Sequence, residues 1–176
     1  MKKQVIFVAG IFTPQKALDN WKEVLKEKFK DSDIITIGKS YSYLDIKKMK
    51  KITKKCLSLI KNNKETILIG HSFGAIIINS ALNKYKKHNV KQVIIIASPH
   101  KINKFGMKKR KAILGYSENA TKGIPTNTLG AYFDPVVPFF TSSLKNAKHK
   151  NLFTEHFLSI LYNKKTIEKI LDYSTK

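Results

Sequence analysis

Ser72 interrupts an apolar run in the sequence GHSFG, residues 70–74, and its hydroxyl is the first candidate for chemistry. A serine becomes nucleophilic when a base takes its proton and donors stabilise the anion that forms. A sharp turn from a strand into a helix offers such donors, because the first N–H groups of a helix lack partners. Gly70 and Gly74 suit that turn, since side chains there would clash with the adjoining elements. We therefore interpret Gly70, His71 and Gly74 as the turn that presents Ser72; a plain strand–helix turn and a phosphate-binding turn are the alternatives.

The second candidate, Asp134, stands in the apolar sequence YFDPVVPFF. Most of the 12 acidic residues lie among lysines, whereas this one is flanked by aromatic residues, valines and prolines. A carboxylate in apolar surroundings is costly unless a partner holds it, and an imidazole N–H is a suitable partner. We predict that Asp134 orients a catalytic histidine; a turn-forming aspartate before proline is the alternative.

The candidate base is His156, one of five histidines. It follows the last predicted strand and opens the last predicted helix, so it belongs at the same edge of the sheet as Ser72. The other histidines suit the role less well: His71 lies within the turn, His88 in a lysine-rich helix end, His149 before the last predicted strand, and His100 after the fourth strand but early in the chain. A helix-capping or packed histidine is the alternative for His156.

Two backbone N–H groups are needed to bind the oxyanion that forms when a serine attacks a carbonyl. One candidate donor is Phe73, the residue after the nucleophile. The other is Ile11, in the turn after the first predicted strand, although a plain strand-ending turn would explain Gly10 and Ile11 equally well. Apolar residues near the strand ends are candidates for the substrate pocket: Phe12, Phe105, Val136 and Val137.

These residues must be positioned by elements that alternate along the chain. Short β-branched runs predict strands at 4–9, 33–37, 65–69, 91–97, 126–133 and 151–154, and amphipathic segments predict helices at 15–29, 44–61, 73–87, 141–147 and 157–171. Nearly continuous apolar strands indicate a sheet that is covered on both faces. We expect one α/β domain over residues 1–176, a three-layer sandwich with a mostly parallel six-stranded sheet. An irregular, cap-like insertion is expected at about 98–125, and the site belongs at the carboxyl ends of the strands.

The order Ser72, Asp134, His156, each just past a predicted strand, together with GHSFG, resembles the α/β-hydrolase superfamily in its small single-domain serine esterase/lipase form. The resemblance implies a sheet without the superfamily's first two antiparallel strands. It also implies that His156 accepts the proton of Ser72, that Asp134 orients the imidazole, and that an acyl-enzyme forms on Ser72. The chain departs from the usual pattern where Ala9 replaces a His before Gly10, and where Glu155 replaces a Gly before His156.

The expected substrate is a small carboxylic ester of modest acyl length, because the insertion is short for a lipase lid. A thioesterase or acyltransferase with the same triad is the first alternative, and a non-catalytic basic protein of this fold that binds anionic surfaces is the second. The basic run at 108–111 would attract an anionic acyl donor or headgroup. We expect no metal or other cofactor, because the sequence has no HExxH, no CxxC and no His–carboxylate cluster.

The charge of the chain is unusual, with 34 basic against 12 acidic residues and a formal net charge of +22. Nucleic-acid readers depend on arginine, and Arg110 is the one arginine here, so we expect no obligatory nucleic-acid partner. Weak association with anionic surfaces is compatible with the lysines, which codon bias in an AT-rich genome would also explain. Cys56 is the one cysteine, so no internal disulfide forms. Without a signal peptide or a run of about 18 apolar residues, a cytoplasmic location is the default expectation.

Overall fold

The computed structural model describes residues 2–42, 44–62, 64–85, 89–102, 106–154 and 158–174. The strands are β1 Lys3–Val8, β2 Ser32–Ile37, β3 Glu65–His71, β4 Val90–Ile96, β5 Thr126–Ala131 and β6 Lys148–Leu152. The helices are α1 Gln15–Lys28, α2 Ile46–Ile60, α3 Phe73–Asn83, α4 Met107–Leu114, α5 Leu158–Tyr162 and α6 Lys164–Ser174, with 3-10 turns at Glu118–Thr121 and Phe139–Thr141.

The six strands form one sheet in the order β2-β1-β3-β4-β5-β6, and every neighbouring pair is parallel. Helices α2, α3 and α4 pack on one face, and α1, α5 and α6 pack on the other. The predicted three-layer α/β sandwich is therefore confirmed. Because all strands run the same way, their carboxyl ends share one edge of the sheet.

The core lies on both faces of the central strands. On one face, Trp21 of α1 stacks on Phe7 with 4.3 Å between ring centroids, and its indole N–H donates to the Ile160 carbonyl at 3.1 Å. On the other face, α3 is buried from Phe73 to Leu82, as expected of a helix that is apolar all round. Cys56 of α2 lies in the same core, where burial raises the pKa of its thiol to about 12. Within the described ranges, no helix combines the length and apolarity that a membrane crossing requires.

Three elements near the carboxyl terminus differ from the predicted ones. Strand β6 begins at Lys148, whereas the sequence predicts its start at Asn151, and the helix predicted at 141–147 does not form. The sequence of β6, KHKNL, is polar, as an exposed edge strand allows. The start of this strand therefore lacks the apolar run from which strands are predicted. The predicted last helix is interrupted at Asn163, whose side chain accepts a hydrogen bond from the Thr166 N–H at the start of α6, 3.1 Å away.

The segment 98–125, predicted as irregular, contains helix α4 and the 3-10 turn Glu118–Thr121. Helical spacing places Lys111 on the buried face of α4, together with Met107 and Leu114. The Lys111 side chain is only 7% exposed, and its ammonium donates to the carbonyls of His100 and Ile102. Burial lowers the pKa of this lysine. The expectation that Lys111 contributes to a basic surface at 108–111 is therefore wrong. Lys111 instead joins α4 to the loop after β4.

Replacing Lys111 tests that connection. We expect Lys111→Met to lower the free energy of unfolding by about 1–3 kcal/mol, because the buried His100 carbonyl and the partly buried Ile102 carbonyl lose their charged donor. The exposed Lys109 on the same helix is the matched control, and Lys109→Met should change stability by less than about 0.5 kcal/mol. Urea denaturation of the two variants measures the difference. Equal stability in both would contradict the role given to Lys111.

Candidate active site

Ser72 lies between the end of β3 and the start of α3 in an unusual backbone conformation, with φ 52° and ψ −126°. A positive φ is uncommon outside glycine, and strain of this kind persists only where the surrounding structure enforces it. The Ser72 N–H donates to the Ile96 carbonyl at 2.8 Å, and the Ser72 carbonyl accepts from the Ala75 N–H at 3.2 Å. These bonds hold the serine on the sharp strand-to-helix turn that the sequence predicts.

Glycine is required around this turn because the backbones approach so closely. A Cβ at Gly74 would lie 2.0 Å from the Val8 carbonyl oxygen, and one at Gly70 would lie 2.7 Å from the Cα of Ala75. A Cβ at Gly10 would lie 2.8 Å from the Cβ of Ser72. The last contact joins the turn after β1 to the candidate nucleophile. Sequence reasoning noted Gly10 only as part of that turn.

The turn after β1 is anchored by Tyr41, a buried residue in the loop after β2. Its hydroxyl donates to the Ala9 carbonyl at 2.9 Å, and its own carbonyl accepts the Phe12 N–H at 2.9 Å. Because the Phe12 N–H is used in this way, Ile11 is the better candidate for the second oxyanion donor. Nothing in the local sequence SYSY indicates this role for Tyr41, so sequence reasoning missed it.

Backbone strain gathers at this edge of the sheet. Within the described ranges, the non-glycine residues with positive φ are Phe12, Ser40, Ser72 and Ala97. Each of them follows the carboxyl end of a different strand, β1, β2, β3 or β4 in turn. Strained residues cluster where function requires a fixed geometry, which agrees with a site at this edge.

Asp134 follows β5 and is nearly buried. Its Oδ1 accepts the N–H groups of Val136 at 2.8 Å and of Val137 at 2.7 Å. The turn-forming role considered for this aspartate is therefore present. Both bonds fall on one carboxylate oxygen, so they also fix the orientation of the whole group.

A cavity of about 690 Å³ opens beside Ser72. Its walls are mostly apolar and are formed by Ile11, Ser72, Phe73, Pro99, Lys101, Ile102, Met107, Pro135, Val136, Val137, Pro138, Phe140 and Thr141. Val136 and Val137, two of the residues predicted for the pocket, line it. Phe12 does not, because its side chain is 62% exposed and faces solvent. Phe105 lies outside the described residues.

Three of the five histidines are described, and two of these are engaged elsewhere. His100 is buried, its Nδ1 lies 2.9 Å from the Tyr116 hydroxyl, and burial, with a smaller effect of the Lys111 charge, lowers its pKa to about 3. His149 lies within β6, with its ring nitrogens 2.8 Å from Thr128 and 2.9 Å from Asn151.

The remaining described histidine, His71, is the buried last residue of β3. His88 and the predicted base, His156, lie outside the described residues. In the part of the chain that the structure describes, no three His, Cys, Asp or Glu side chains are grouped so that they could hold a metal ion.

The sequence matches the family model described as serine hydrolase over residues 11–153. The chain belongs to the serine hydrolase family. This confirms the resemblance to α/β-hydrolases that the order of the motifs indicated. A search of curated proteins found no significant match to the sequence of this serine hydrolase.

Several solved structures share the fold of this serine hydrolase. An extracellular α/β-hydrolase from a Paenibacillus species is 14% identical, with a TM-score of 0.69 and 98% of each chain covered. The esterase domain of a Rhodothermus marinus protein is 14% identical, with a TM-score of 0.62 over 97% of this chain and 84% of the other. A bromoperoxidase from Bacillus anthracis is 16% identical, with a TM-score of 0.68 over 100% and 93%. At these identities the likeness is one of fold.

The contact between Gly10 and Ser72 gives a test of the site in this serine hydrolase. We expect Gly10→Ala to slow labelling by a fluorophosphonate probe at least tenfold, because the new methyl group displaces Ser72 or Ile11 from the reacting geometry. Gly123→Ala is the control, since a Cβ there meets nothing within 4 Å, although its φ of 83° is strained. Its labelling rate should equal that of the wild type. Unchanged labelling in Gly10→Ala would show that the contact does not position the serine.

Proposed function

We propose that this serine hydrolase cleaves small carboxylic esters of modest acyl length. The observation that supports this most is Ser72, which is held at a strained φ of 52° in the wall of an apolar cavity of about 690 Å³. The hydroxyl lies at the N-terminus of α3, where the helix dipole favours negative charge. The cavity beside it can take the acyl or alcohol part of the substrate.

In the proposed reaction, His156 removes the proton of Ser72 as the serine oxygen attacks the ester carbonyl. The N–H groups of Phe73 and Ile11 stabilise the oxyanion of the tetrahedral intermediate. His156 then gives its proton to the leaving alcohol, and the acyl group stays on Ser72. A water molecule, deprotonated by His156, releases the acid and restores the serine. Asp134 orients the imidazole and stabilises its charged form.

The backbone near β6 supports the pairing of Asp134 with His156. The Phe133 N–H donates to the Thr154 carbonyl at 3.1 Å, so the chain after β6 runs beside the residue before Asp134. His156 follows Thr154 by two residues, which span at most about 7 Å of extended chain. A chain of this length would allow an imidazole at position 156 to reach the carboxylate, which supports the proposed pairing.

The walls of the cavity support the choice of substrate. The apolar surface of the cavity is formed by Ile11, Phe73, Met107, Val137 and Phe140. The volume of the cavity falls within the range of about 300–1,000 Å³ that is usual for small-molecule sites. A cavity of this size suits a small ester better than a triglyceride. Among the solved structures of this fold, the one from Rhodothermus marinus is an esterase domain.

The first test is labelling with a fluorophosphonate, which reacts only with an activated serine. We expect an adduct on Ser72 in the wild type and none in Ser72→Ala. The rate of labelling should be at least a hundredfold lower in His156→Ala and clearly reduced in Asp134→Asn. Ser143→Ala is the control, because Ser143 lies beside the cavity residue Lys101 but off the turn. Mass spectrometry locates the adduct. Labelling that persists in Ser72→Ala would remove the proposed nucleophile.

The second test is a series of p-nitrophenyl esters from acetate to palmitate. We expect kcat/KM to be highest for short and medium acyl chains and to fall for long ones, because the cavity is of limited volume. The matching thioesters, measured beside them, distinguish an esterase from a thioesterase. A sharp preference for the longest chains would contradict the proposed substrate class.

A further inference from the structure

The exposed apolar side chains of this protein gather on one side of the molecule. Of the nine large apolar residues that are exposed in the described ranges, seven lie in loops after the carboxyl ends of strands. These seven, which we call the apolar rim, are Phe12, Leu44, Tyr132, Phe133, Val136, Phe140 and Phe153. The other two, Tyr162 and Tyr173, belong to α5 and α6. The rim adjoins the cavity, since Val136 and Phe140 also line it.

Three members of the apolar rim form an exposed aromatic cluster. The rings of Tyr132 and Phe153 are stacked with 5.1 Å between centroids, and Phe133 lies 5.3 Å and 6.1 Å from them. Phe153 is 85% exposed and Phe133 is 61% exposed. The cluster has a fixed frame, because the Tyr132 N–H donates to the Leu152 carbonyl at 2.9 Å. A contiguous exposed patch of this kind marks an interaction surface.

Phe12 adds a further observation, because its backbone has a φ of 57°. This conformation is costly for a bulky aromatic residue and favours glycine or asparagine. The Phe12 ring is also exposed to water, so burial of the ring does not offset the cost of the backbone conformation. A residue that is strained and exposed at once contributes little to folding, which points to a role in binding.

The charge near the apolar rim is positive. Lys39 and Lys101 are exposed in the loops after β2 and β4, and Lys108 and Lys109 are exposed in the first turn of α4. In the described parts of the loops that follow the strands, the acidic residues are Asp45, which caps α2, and Asp134, which is nearly buried. Exposed aromatic rings beside lysines are typical of surfaces that enter the interface of an anionic bilayer.

We propose that the apolar rim docks this protein on an anionic lipid surface, with the opening of the cavity turned towards the lipid. Aromatic rings enter the headgroup region, and the nearby lysines attract the anionic headgroups. A second copy of the chain fits less well, because it carries the same net charge of +22 and repels. Docking goes beyond ester hydrolysis, since it requires neither Ser72 nor the other proposed catalytic groups.

The test is sedimentation of the Ser72→Ala protein with vesicles, because this variant cannot consume the lipid. We expect binding to vesicles of equal parts phosphatidylglycerol and phosphatidylcholine, weaker binding in high salt, and little binding to phosphatidylcholine alone. The double variant Phe133→Ser/Phe153→Ser should lower the partition coefficient at least tenfold, because two apolar rings no longer leave water on binding. Tyr162→Ser/Tyr173→Ser, which also removes two exposed aromatic rings, should leave it unchanged.

Each other outcome overturns the proposal. Equal binding by the two double variants would mean that lysines alone attract the protein. If the wild-type protein does not bind the anionic vesicles but forms dimers, the apolar rim is an interface between two copies of the chain. If it instead retards single-stranded nucleic acid, the rim binds nucleic acid. Phe153→Ser alone keeps the test valid if the double variant folds poorly. The rim variants are also made in protein that keeps Ser72. Their labelling by a fluorophosphonate shows separately whether the proposed catalytic site works.

Discussion

The close packing of α3 against β1 is the constraint on which the site depends. The helix begins directly above the central strands because Gly74 has no side chain to hold it away from the Val8 and Ala9 carbonyls. The chain must then leave β3 and enter α3 within a single residue, and Ser72 takes the strained conformation that results. The same packing buries α3 along its length, which supplies the stabilisation that offsets the strain. The burial of α3 and the position of Ser72 in the cavity wall therefore have one cause.

The loops at the carboxyl edge support this arrangement from several directions. Tyr41 ties the loop after β2 to the turn after β1, and Gly10 lets that turn reach Ser72. Lys111 ties α4 to the loop after β4, which forms part of the cavity wall. Each tie is a hydrogen bond to a backbone carbonyl, so each holds the position of a loop whatever side chains the loop carries. Side chains in the cavity wall can therefore be replaced, and the shape of the wall changed, while Ser72 remains in place.

Apolar surface continues from the cavity onto the outside of the molecule through Val136 and Phe140. Most lysines, in contrast, lie on exposed faces, and Lys111 is the buried one among those described. The protein thus combines an apolar edge around its cavity with a strongly basic exterior. A soluble ester requires neither feature, and both suit a substrate or surface that is apolar on one side and anionic on the other.

The sequence by itself determined the fold class, the strand order along the chain and Ser72, because these depend on local signals. Apolar runs without alternation indicate buried parallel strands, and two glycines around a serine indicate a turn that only glycine allows. It also placed Asp134 after a strand, and it names His156, whose role remains a prediction. The tertiary structure decided what depends on contacts between distant residues: Tyr41 beneath the turn after β1, Gly10 against Ser72, and Lys111 inside the protein. It also decided that β6 begins at Lys148, because the polar residues at its start pair with β5 on one side only, as an edge strand does. No local pattern contains these facts, since each is set by the element that packs on the residue from elsewhere in the chain.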